Sequence, residues 1–172
     1  MPPLRAVALP DGSREIRITE SYGFVAGRQI PLLRIVVRPE GVAGELLIFW
    51  AEPKDPAETE SRDSCAPLRD TLQTCVRIAA TPDVKWDTVA SRLNELGAWS
   101  IATRCEHPGT VSDAGELLIQ RLEGSRFESY TCNAPQSNVE REAGRRSVEI
   151  AAYVGSLARS IDPGVGQPAR LR

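Results

Sequence analysis

The chain has 172 residues, 41% of them hydrophobic and 26% charged, which is the composition of a globular domain and excludes a disordered one. Its 21 basic and 23 acidic side chains leave a formal charge of -2, so the electrostatic footprint of a nucleic-acid binder is missing. No apolar run approaches the ~20 residues that span a bilayer.

The first ten residues lack the basic start and apolar segment of a secretory signal. Residues 1–12 read as a flexible N-terminal segment ahead of a single α+β domain over 13–161, and the leader of an exported form would lie outside this chain. Arg14-Glu15-Ile16-Arg17-Ile18-Thr19-Glu20 alternates charged and apolar side chains at period two, which predicts a strand with one wet face. Ser21 to Arg28, with two glycines and two aromatics, reads as a packed turn. Leu33, Ile35 and Val37 then alternate with Arg34, Val36 and Arg38, Pro39-Glu40-Gly41 supplies a turn, and Glu45 to Ala51 is a second apolar run; together they predict a β-hairpin.

Glu52 to Cys65 is polar and acidic and lacks the D-x-[DN]-x-[DN]-G pattern of a calcium loop, so solvation of a surface loop accounts for its carboxylates. Ala66 to Thr74 reads as a short helical turn and Cys75 to Ala79 as a strand ending before Pro82. Asp87 is placed to cap a helix running to Leu96, with Val89, Leu93 and Leu96 on one stripe and Gly97 as its stop. Trp99 to Arg104 reads as a strand and Glu106 to Asp113 as a connecting loop. A second hairpin follows, with arms Glu116 to Leu122 and Arg126 to Cys132 joined through Glu123-Gly124-Ser125.

From Val139 to Ile161, Ala143, Ser147, Ile150, Val154, Leu157 and Ile161 recur at spacings of three and four, the stripe of an amphipathic helix. Gly144 and Gly155 are expected to weaken it. Asp162-Pro163-Gly164 breaks the helix, leaving 162–172 as a mobile tail. The pattern predicts an α+β fold: a mostly antiparallel sheet of roughly five to seven strands built from two hairpins, covered on one face by two helices including the long C-terminal one.

Four cysteines, Cys65, Cys75, Cys105 and Cys132, are separated by 10, 30 and 27 residues. No close pair of the zinc-ligand kind occurs among them, which favours two disulfides over a metal site; of the three possible pairings, Cys65 with Cys75 and Cys105 with Cys132 is preferred because the first closes a short loop. If the segments 99–104 and 126–132 flanked 116–122, the second pair would stand about 9.5 Å apart, two strand spacings and beyond disulfide reach. The bridge therefore requires those outer segments to be neighbours, or a loop that returns Cys105 over the sheet end.

The single histidine, His107, limits nucleophilic chemistry to combinations with Cys105, or with Ser112 and Asp113, and both are explained more simply by a disulfide half and by turn chemistry. Glu116, Glu123 and Glu128 are carboxylates of the kind a glycosidase pairs, but the wet face of a sheet carries the same residues. Trp50, Trp86 and Trp99 stand at element boundaries, where an indole covers the core edge or offers a ligand platform. These features favour a small exported, disulfide-stabilised binding or assembly domain without a catalytic site, metal or cofactor, in the periplasm or outside the cell. Its candidate contacts to a protein or small-molecule ligand are Trp50, Trp86, Trp99 and His107. The alternatives are a hydrolase using His107 and a cytosolic interaction module presenting the C-terminal helix.

Overall fold

Residues 9–22, 29–53, 72–80, 82–101, 105 and 115–161 are described by the computed structural model. Strand β1 (Arg14–Tyr22) pairs with β2 (Gln29–Arg38) on one side and with β5 (Gly115–Glu123) on the other. Beyond β2 lie β3 (Gly41–Pro53) and β4 (Leu72–Ala80), and beyond β5 lies β6 (Arg126–Asn133). The sheet is six-stranded in the order β4-β3-β2-β1-β5-β6, and every strand pair is antiparallel.

Residues directly opposite one another on neighbouring strands share a face. Leu46, Leu33, Ile18, Ile119 and Tyr130 therefore form one row across five strands, with Ile48, Ile35, Ile16 and Leu117 in the rows beside it. Helices α1 (Trp86–Glu95) and α2 (Glu142–Ile161) lie on this face, α1 against β3 and β2 and α2 against β2 and β1. They bury Val89, Leu93, Ile150, Val154 and Leu157 in the same cluster as the strand residues. Each such side chain contributes about 1.5–3 kcal/mol when fully buried, so the alternation at period two and the stripe at period 3.6 converge on one core. The expected α+β architecture, with two helices on one face, is the observed one.

The termini of the helices explain their placement. Gly97 adopts φ +76°, and the Gly97 and Ala98 N–H groups donate to the carbonyls of Asn94 and Leu93, both at 2.9 Å, which satisfies carbonyls the helix would otherwise leave open. At its other end α1 departs from expectation: it begins at Trp86, Lys85 occupies the capping position, and Asp87 sits inside the first turn, where a carboxylate complements the helix dipole instead. Trp86 packs over Gly44 of β3 so closely that a Cβ there would overlap the indole. On α2, Ser147 lies in the apolar stripe because its hydroxyl donates to the Ala143 carbonyl (2.7 Å) and meets the Tyr130 hydroxyl of β6 at 2.9 Å. Burial pushes the Tyr130 phenol up, partly offset by that bond to Ser147.

Several local expectations are corrected. Leu72 to Thr74 belong to β4 rather than to a helical turn. Trp99 and Ser100 form a turn after α1 instead of opening a strand, because the reversed bonds at Gly97 are followed by Ser100 and Ile101 N–H groups that both donate to the Gly97 carbonyl. The second face of β1 is not wet: Glu15 is fully buried and Arg17 is 6% exposed.

Gly144 is the position where α2 meets the 3-10 turn Pro135–Asn138 that precedes it, and a Cβ there would overlap the Asn138 carbonyl. Its small size is therefore a packing requirement as well as a weakness in the helix. At Gly155 the nearest obstacle is the end of the Arg159 side chain, 3.0 Å away. Gly144→Ala is expected to lower stability by about 1–3 kcal/mol, whereas Gly155→Ala is expected to be neutral or to stabilise by up to about 1 kcal/mol. Urea midpoints of the two variants test this contrast, and equal midpoints would refute it.

Candidate functional site

At one end of the helix-covered face, two rows that are apolar on β2 become charged over β5 and β6. Arg14 of β1 stands opposite Glu123 of β5, and Glu123 opposite Arg126 of β6; one row inward, Ile16 stands opposite Arg121, and Arg121 opposite Glu128. The two-residue turn Gly124–Ser125, with Gly124 at φ +56°, sets this register. The turn that ends α1 brings Trp99 and Ser100 to the same place, and together these residues line a half-open cavity of about 250 Å³.

The cavity wall is cationic and partly desolvated. The Arg14 guanidinium lies over the Trp99 ring, 4.3 Å from its centroid, a favourable cation–π geometry. Arg121 is 9% exposed; its Nη2 donates to the Ile101 carbonyl and stands 2.9 Å from Glu128 Oε2. Glu128 is shared with the exposed Arg126. The Nε–H of Arg121 and the indole N–H of Trp99 are buried, and neither finds an acceptor among the described residues, which is costly for donors removed from water.

A disulfide lies further along β6, away from the cavity. Cys105 forms an isolated parallel bridge with Cys132 of β6, and the two are bonded with Cα atoms 4.7 Å apart. Cys105 therefore lies beside the outer edge of β6, the neighbour arrangement that the pairing required. Both cysteines are buried, and with its sulfur bonded Cys105 has no thiolate to pair with His107.

Of the residues singled out from sequence, Trp99 joins the cavity and Trp86 instead covers Gly44 at the edge of the core. Trp50 lies on β3 opposite Gln29 and Val76, and Cys75 on β4 opposite Ala51; their side chains, together with Cys65 and His107, lie outside the described residues. The three carboxylates do not converge: Glu123 and Glu128 line the cavity, while Glu116 stands at the far end of β5, opposite Asn133. Arg14, Arg121 and Arg126 were not singled out, although their signal is present in the hairpin register once the turn is known to hold two residues.

A second depression, about 520 Å³, runs between α1 and α2 and is lined by Thr88, Ser91, Tyr153 and Ser156 among others. Ser156 and Ser160 donate to carbonyls of their own helix, each at 2.7 Å, so neither hydroxyl is left seeking a partner.

The opposite face of the sheet carries a buried ion cluster. Arg34 Nε and Nη2 donate to the two Glu15 carboxylate oxygens at 2.7 and 2.9 Å, and Arg17 Nε donates to Oε1 at 2.7 Å. Burial alone would raise the Glu15 carboxyl, but the hydrogen bonds from Arg34 and Arg17 and the charges of both guanidiniums outweigh it and hold the group below its ordinary 4.5.

No protein-family model matches the chain, and no curated protein matches it.

Because the Glu15 carboxyl is lowered in the folded state, its stabilisation is present above the ordinary value of 4.5 and is lost as pH falls through the folded value. Glu15→Gln is expected to cost about 3 kcal/mol at neutral pH, since it removes one partner of a buried charge cluster. That deficit is expected to shrink in urea titrations repeated below the ordinary carboxyl value, where the native side chain also becomes neutral. A deficit that stays constant with pH would rule out the charge as its source.

Proposed function

We propose that this chain is a small exported binding domain, stabilised by disulfides and carrying no catalytic centre, with its ligand site in the cavity between the α1 turn and the β5-β6 hairpin. The observation that carries the reading is the buried Cys105–Cys132 bridge. It ties Cys105 to the outer edge of β6, and persistent disulfides belong to oxidising compartments such as the periplasm or the cell exterior. Residues 13–161 act as one unit in this reading, with the sheet as scaffold.

Further support comes from the two helices. Their apolar stripes are spent on the sheet, which supports a role for α2 in the scaffold over one as a presented interaction module. No helix among the described residues is long and apolar enough to cross a membrane.

Intact mass of protein from its native source, alkylated in denaturant without reduction, is expected to show no label on Cys105 or Cys132; after reduction both label. With Cys65 and Cys75 joined as the sequence suggests, four labels appear only after reduction. Immediate labelling of Cys105 and Cys132 would overturn the reading. Replacing both by Ser is expected to cost about 3.5 kcal/mol, the loop-closure value for their 27-residue separation, read as a fall in the urea midpoint.

A further inference from the structure

We propose that the groove between α1 and α2 binds a short neutral saccharide, its ring faces lying on Tyr153 and Val84 and its hydroxyls bonded by the Arg92–Glu95 pair and by Thr88 and Ser91. The groove is a second site, apart from the cavity, and the inference does not depend on the cavity's role.

The spacing of the lining residues turns their side chains to the groove. Thr88, Ser91 and Glu95 recur three and four residues apart on α1, and Tyr153, Ser156 and Ser160 do the same on α2, so each set is one stripe of its helix. Thr88, Ser91, Arg92 and Glu95 are exposed and Tyr153 is half-buried. A ligand therefore reaches every group invoked.

The surface between the stripes is mixed on the scale of a sugar ring. Tyr153 packs against the core and also lines the groove, and Val84 stands beside it 39% exposed. A pyranose has matching character, with C–H groups on its faces and hydroxyls round its edge, and a tyrosine offers a ring to the first and a polar tip to the second. Stable protein partners bury about 800 Å² per side around apolar anchors. The only large apolar side chains exposed among the described residues are Val84 and Val139, and Val139 is not in the groove.

Charge selects a neutral ligand. Arg92 Nη1 stands 2.7 Å from Glu95 Oε2, and with no other charged side chain in the lining the two cancel. Both remain more than half exposed, so the other guanidinium N–H groups and the second carboxylate oxygen present donors beside an acceptor. Adjacent sugar hydroxyls, each donor and acceptor, satisfy both at once. The Tyr153 hydroxyl hydrogen-bonds to no described residue. Burial pushes its phenol up, while the charges of Arg92 and Glu95 act on it in opposite directions, so it stays protonated near the pair as a further donor.

Size completes the assignment. A volume of about 520 Å³ falls within the roughly 300–1,000 Å³ of small-molecule sites and corresponds to roughly 17 waters at about 30 Å³ each, room for a short oligosaccharide.

Amide NMR titration of the full, disulfide-bonded chain with maltotriose, cellotriose and triacetylchitotriose tests the assignment, with trigalacturonate as the charged contrast. Saturable shifts confined to the groove residues of α1 and α2 are expected with at least one neutral trisaccharide, and weaker binding of trigalacturonate. Tyr153→Leu, which removes the ring, and Glu95→Gln, which removes the charge from an exposed position, are each expected to weaken binding about tenfold. Arg145→Gln, exposed on α2 and outside the groove, is expected to leave the affinity unchanged. The amide spectrum of each variant confirms its fold, and Glu95→Gln alone decides the matter where Tyr153→Leu is unfolded. No saturable shifts with any of the three neutral sugars, shifts centred on the β5-β6 turn, tighter binding of trigalacturonate, or unchanged affinity in the folded groove variants would each overturn the proposal.

Discussion

Strand β5 pairs with β1 and not with β4, so a chain that has built four strands in succession must return from the β4 edge to the far side of its first strand. The crossing has to run over a face of the sheet, and it is open to solvent unless it carries an apolar stripe. Helix α1 supplies that stripe through Val89 and Leu93, and the packing of Trp86 against the bare backbone of Gly44 fixes where the crossing begins. α2 then covers the rest of the row from Leu33 to Tyr130. Two helices on one face are thus a consequence of strand order.

The same crossing creates the cavity. α1 ends at Gly97, and the turn that follows lays Trp99 over the final rows of β1, β5 and β6, where apolar residues give way to Arg14, Arg121, Arg126, Glu123 and Glu128. Partial cover over a charged row is an unusual environment. A fully open row would be solvated, and a fully buried one would require every donor to be paired. The disulfide lies further along β6, where Cys132 stands opposite Leu117.

Charge is also buried on the other side of the sheet, by different means. Glu15 accepts three hydrogen bonds from two arginines, which offsets the desolvation of all three groups to the extent that their geometry allows. Placing the carboxylate on the central strand between two cations binds β1 and β2 through side chains as well as through the backbone ladder. One face of β1 is therefore held by Ile16 and Ile18 and the other by ions.

Period-two alternation at 14–20 and 33–37, the turn at Pro39–Gly41, the hairpin around Gly124, the stop at Gly97 and the stripe of α2 were all legible because each is local: a few neighbouring side chains decide them through sterics and burial. What failed were inferences in which a distant partner decides the outcome. Trp99 and Ser100 look like the start of a strand, yet the helix end at Gly97 draws both into a turn. Glu15 and Arg17 look like solvated charges until Arg34 is brought alongside, and Gly144 looks like a defect until the Asn138 carbonyl is seen against it. The sequence by itself determined most of the element types and the α+β class, and it favoured, among three possible pairings, the one that joins Cys105 with Cys132. Only the tertiary structure decided that β5 lies beside β1, and hence that three arginines, two glutamates and Trp99 meet in one cavity, because strand order depends on contacts between residues far apart in the chain, which local pattern does not encode.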